Sequence, residues 1–137
     1  MRTRVVAVLA LGSIALAMGC GRGASEGSAD KRQVERMVTA WLSALVAHDN
    51  PRACSYLAPA LQKSIDEQLR LRGEHGNCRT WAARWTGGST PPGHRSARVT
   101  AVRITGREAT VTLHAASGLD SVVRVRKLGG NWRIENY

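Results

Sequence analysis

The sequence predicts an α+β domain in which N-terminal helices pack on a curved antiparallel sheet. Two observations predict it. Apolar residues recur at helical spacing from Val34 to Trp85, then alternate with polar residues from Arg98 to Tyr137. The strand candidates are joined by hairpin-length links, which makes neighbouring strands antiparallel. Helices first and a strand meander second is the order of an α+β fold. At 137 residues and 43% hydrophobic content, the chain has material for one domain.

The first residues read as a leader. Met1–Arg4 is cationic, and Val5–Ala17 is an uncharged run. Thirteen residues are too few to span a bilayer, which takes about 20, but they suit the apolar region of a secretory signal. The run ends in Leu16-Ala-Met-Gly-Cys20, which resembles the bacterial lipobox. That motif usually has Leu three places before the Cys; here Ala17 stands there and Leu16 comes one place earlier. The resemblance implies removal of residues 1–19 and a diacylglycerol on Cys20. Gly21–Ala29 is small and polar and reads as a flexible tether, so residues 20–29 link the lipid to a domain spanning 30–137.

The domain is expected to begin with a helix. Asp30 reads as its cap, with Gln33 completing a capping-box pattern. Val34, Met37, Val38, Trp41, Leu42, Leu45 and Val46 then share one helical face, and His48-Asp-Asn-Pro51 ends it. Pro51 and Pro59 suit first helical positions. They predict a short helix carrying Cys54, Tyr56 and Leu57, and a longer one with Leu61, Ile65 and Leu69 on its face. Asn77 can cap a fourth piece bearing Cys78, Trp81, Ala82 and Trp85. Gly87–Gly93 is a loop. Strands are expected at Arg98–Ile104, Glu108–Ala115, Ser121–Leu128 and Trp132–Tyr137, with turns at Gly106, Gly118 and Gly129-Gly130.

The long amphipathic helix, the Pro-punctuated second helix and the terminal Gly129-Gly-Asn-Trp-Arg-Ile134 resemble the nuclear transport factor 2-like superfamily. They resemble in particular its small secreted or lipid-anchored bacterial members. The resemblance covers roughly residues 30–137. It implies a cone, in which a bent sheet wraps a helical layer around a pocket. Its members include isomerases, dehydratases, cyclases, transport receptors and lipoproteins without known activity, so the fold decides little about function.

Three cysteines bear on compartment. With Cys20 lipidated, Cys54 and Cys78 remain, and a disulfide between them fits an oxidising location. It would contribute roughly 3.5 kcal/mol by closing its loop. The chain has 20 basic and 10 acidic residues. Outside the membrane, anionic headgroups and wall polymers are more plausible counter-charges than nucleic acid, and few aromatics are available for base stacking.

Catalytic chemistry is thinly supplied. The only strand acids, Glu108 and Glu135, sit at a hairpin edge and on an outward position, so no pocket carboxylate is expected. His48 and Tyr56 are the weak catalytic candidates, as general base and partner if both lined a pocket. His48, His75, His94 and His114 show no metal-ligand spacing, so no metal or cofactor is expected. Trp41, Trp81 and Trp85 pack in the core or line a pocket for a small apolar ligand. Arg124, Arg126 and Arg133 alternate away from the apolar strand residues and form a basic surface, which Arg98 or Arg103 extends depending on the face that the first strand buries. The expected protein is a non-enzymatic, lipid-anchored protein on the extracytoplasmic face of the cell membrane, binding a small molecule or an envelope protein. A lyase or isomerase with a pocket histidine is the alternative, and electrostatic adhesion to anionic envelope surfaces a further one.

Overall fold

The computed structural model describes residues 22–86 and 96–137; the side chains of residues 22–26 and 85–86 are outside that description. The leader, Cys20 and the Gly87–Gly93 loop therefore lie outside the described residues. Four helices precede four strands: α1 (Arg22–Val46), α2 (Asn50–Ser55), α3 (Pro59–Leu71), α4 (Cys78–Thr86), β1 (Arg98–Thr105), β2 (Glu108–His114), β3 (Asp120–Leu128) and β4 (Asn131–Asn136). No helix among the described residues is long and apolar enough to cross a membrane.

The sheet is an antiparallel meander in the order β1-β2-β3-β4. Its turns follow from glycine. Gly106 has φ 60° at the first position of the two-residue β1–β2 turn, and Gly129 and Gly130 have φ 54° and 86° in the β3–β4 turn. These are left-handed conformations that right-twisted hairpins require and that other residues resist. Alternation then sends Ala109, Val111, Leu113, Val123, Val125, Trp132 and Ile134 to one face, all buried. That face packs on Val34, Val38, Trp41 and Leu45 of α1, with Leu57, Ile65, Leu69 and Ala82 completing a single core. The α+β architecture is thus two layers, helices on one sheet face.

Helix α1 departs from expectation. It begins at Arg22, so residues 22–29 are helical turns and not an irregular tether, and Asp30 lies inside the helix instead of capping it. The Asp30 carboxylate is engaged elsewhere: Lys127 Nζ donates to it at 2.7 Å and Trp132 Nε1 at 3.4 Å. Lys127 also lies over the Trp132 ring, 5.6 Å from its centroid. The hydrogen bond from Lys127 holds the Asp30 carboxyl below the usual carboxylate range, against a partial desolvation that raises it. A depressed native pKa contributes stability above the unfolded value of 3.8, and that contribution is lost as pH falls through the native value. Asp30→Asn is therefore expected to cost about 1–2 kcal/mol at pH 7. It is also expected to flatten the pH dependence of stability below pH 3.8, read as urea midpoints across an acid series.

The helical layer is closed covalently. Cys54 in α2 and Cys78 at the start of α4 form the expected disulfide, with Cα atoms 6.0 Å apart, so α3 lies within the covalent loop. Asp49 caps α2 by accepting the Arg52 N–H, and Asn77 caps α4 by accepting from Arg79 and Thr80. The two edges of the sheet differ. At β4 the segment between α2 and α3 adds a parallel bridge, with Ile134 N donating to Tyr56 O and Ala58 N to Ile134 O. At β1 no strand is added among the described residues.

Candidate functional site

The face of the sheet turned away from the helices is uncovered among the described residues, and it carries most of the charged side chains of the strands. A β-bulge in β1 determines its composition. Arg98 and Arg103 have opposite parity in the sequence, so a regular strand would place them on opposite faces. The register shift between Val99 and Ala101 inserts Thr100, whose hydroxyl donates to Thr112 O. Arg98 then stands opposite His114, and Arg103 opposite Thr110, both on the outer face. This resolves the alternative that the sequence leaves open. No residue pattern marks the bulge.

The expected basic triad is rearranged. Arg126 is neutralised by Glu108 at 2.8 Å and Glu135 at 3.0 Å. Arg133 reaches back to donate to Ser55 O at 2.8 Å, which fastens β4 to α2. Of Arg124, Arg126 and Arg133, only Arg124 remains without an ion pair or side-chain hydrogen bond among the described residues. Its companion is Arg103: the two flank Thr110 along one row of the sheet, on strands two spacings apart, about 10 Å. Half-exposed Val122 lies in the next row beside Thr112. His114 Nδ1 and Asp120 Oδ1 pair at 2.7 Å in the row beyond.

The histidine and tyrosine candidates do not converge on a pocket. His48 is exposed at φ 57°, reversing the chain between α1 and α2. Tyr56 lies beyond the other end of α2, where its hydroxyl accepts from Arg52 Nε at 3.4 Å. His114 is on the outer sheet face.

The tryptophans divide. Trp41 is 1% exposed and belongs to the core. Trp81 is half-buried, and Tyr137 sits against both rings, 6.0 Å from Trp41 and 5.1 Å from Trp81. Burial pushes the Tyr137 phenol up to about 12, so it stays protonated across the physiological range. The Trp85 side chain lies outside the described residues. Open clefts occur elsewhere among the described residues, two of them against the helical layer. One, of about 660 Å³, runs between α1 and the start of β1, past Leu42, Val46 and Val99. The other, of about 370 Å³, lies over the disulfide between Gln62, Asp66 and Arg79. Neither is lined by Trp41 or Trp81. Among the described residues no group of three metal-ligating side chains occurs.

Comparison of the chain with protein-family models, with curated proteins and with solved structures finds no match.

Proposed function

We propose that this is a lipid-anchored protein of the extracytoplasmic membrane face that works by binding an acidic partner protein through the outer face of its sheet. The observation that carries the reading is Arg103 and Arg124 on the outer sheet face, unpaired and uncovered among the described residues, with Val122 and Thr112 beside them. Open antiparallel faces are normally solvated by short polar and mixed-charge residues. Two unneutralised guanidiniums about 10 Å apart instead offer carboxylates bidentate partners, and charge of one sign steers an acidic segment to the surface. The disulfide supports an oxidising compartment, and the Leu16–Cys20 sequence supports the anchor. The nuclear transport factor 2-like cone is the fold reading that fits the order of elements, with the helical layer on one side of the meander. A core filled by Trp41, Leu57 and Ile134 favours the outer surface over an interior pocket as the binding element.

The test is retention of the full chain on an immobilised oligo-glutamate peptide. Binding is expected to weaken with salt and to fall at least tenfold in Arg103→Glu/Arg124→Glu. Arg70→Glu/Arg72→Glu, on the helical side, should bind as the parent does. Equal retention of both variants would overturn the reading.

A further inference from the structure

We propose that one end of the domain, formed by the N-terminal part of α1 and two β-hairpin tips, is a docking surface for an anionic lipid bilayer, so that the strands stand along the membrane normal. The inference deepens the reading above and rests on its lipid anchor at Cys20.

The meander fixes which elements share an end. The β1–β2 turn at Gly106-Arg107 and the β3–β4 turn at Gly129-Gly130 lie together, and the β2–β3 turn, with Leu119, lies at the other end. Lys127 N donates to Arg107 O, and Arg107 Nη2 donates to Lys127 O at 3.2 Å, tying the first tip to β3 beside the second. The Lys127 ammonium is bound to Asp30, which puts the early turns of α1 at this same end. The C-terminal turns of α1 run past Arg98 and Val99, at the far end of β1. Helix and sheet therefore share one long axis with a defined polarity.

The chemistry of the two ends differs. At the α1 end Lys31, Arg32 and Arg107 are exposed, and none has an ion pair among the described residues. Of the carboxylates near them, Asp30 and Glu108 are engaged by Lys127 and Arg126, and Glu35 lies one helical turn beyond Lys31. Leu128, 37% exposed, is an apolar residue at the second tip. Cys20 precedes the first helical residue, Arg22, by two positions, and two residues reach at most about 7 Å. Helix from Arg22 to Asp30 rises only about 12 Å. A lipid on Cys20 would thus hold this end, and no other, within a short distance of the headgroups. Attraction to anionic lipid falls off over a Debye length of about 8 Å, so it acts most on Arg107 at the first hairpin tip and less on Lys31 and Arg32, which lie about 13–15 Å along the helix axis from Arg22.

The experiment uses the full chain, purified from membranes and returned to vesicles of phosphatidylcholine with phosphatidylglycerol or of phosphatidylcholine alone. An environment-sensitive fluorophore is attached through Leu128→Cys, Asn131→Cys or Leu119→Cys, and a nitroxide lipid serves as quencher. Quenching at positions 128 and 131 is expected to exceed that at 119 several-fold in the anionic vesicles. It should fall by at least half in Lys31→Gln/Arg32→Gln/Arg107→Gln. Equal quenching at both ends, or quenching indifferent to those substitutions, would overturn the orientation while leaving the anchor standing. Intact mass decides the anchor separately: a chain without diacylglycerol on Cys20 would overturn both.

Discussion

Loss of the Cys54–Cys78 bridge is expected to lower stability by about 3.5 kcal/mol and the melting temperature by roughly 15 °C. The covalent loop closes over 24 residues of sequence separation and contains the whole of α3. Without the bridge, the unfolded chain regains the loop entropy that the bridge removes. The folded state is poorly placed to compensate. Helix α2 has six residues and α4 nine, both below the length at which a helix supports itself in water. The same segment supplies the bridge that covers β4, through Tyr56 and Ala58. Thermal unfolding of the parent, the reduced parent and Cys54→Ser/Cys78→Ser should therefore give one high and two similar low transitions. A double-serine variant melting with the oxidised parent would show that the loop entropy is immaterial.

The second large effect concerns Trp41. Its indole is 1% exposed in the C-terminal half of α1, against the buried sheet face. Trp41→Ala is expected to cost about 4 kcal/mol, from lost apolar burial and the cavity left behind. The indole Nε1–H has no hydrogen-bond partner among the described residues, and a buried unpaired donor itself costs about 1–3 kcal/mol. Trp41→Phe removes that donor while keeping much of the ring. It is expected to lie within about 1 kcal/mol of the parent, despite its smaller volume. Urea midpoints at unchanged denaturant slope check both. A phenylalanine variant as unstable as the alanine variant would show that volume alone governs the site.

The sheet was the most legible part of the sequence. All four strands fall within a residue or so of their expected bounds, because period-two alternation and paired glycines are local signals. Helices α2 to α4 were legible through Pro51, Pro59 and Asn77, whose backbone and capping preferences are also local. The misreadings share one cause. Asp30 satisfies a capping pattern locally, but its partners Lys127 and Trp132 lie about a hundred residues away, and the preceding Gly, Ala and Ser residues give no sign of belonging to a helix. Arg126 and Arg133 were placed on the correct face, but their neutralisation depends on which cross-strand neighbours carry carboxylates or free carbonyls. The bulge at Thr100, which brings Arg98 and Arg103 to one face, is a matter of register that residue types do not encode. Core and pocket tryptophans are equally apolar, so only packing separates Trp41 from Trp81.

The inequality of the two sheet edges would have a consequence for copies of the chain crowded on one membrane. The lipid anchor proposed at Cys20 would confine encounters to two dimensions and present neighbours side by side. Growth of a shared sheet into a filament needs two receptive borders per molecule, one to accept and one to pass on. Here the middle of the β4 border, at Ile134, is occupied by Tyr56–Ala58, which leaves β1 as the fully open border among the described residues. Lateral recruitment through strands therefore ends once two β1 borders have met, at a closed pair, and the kinked, arginine-flanked course of β1 opposes even that step.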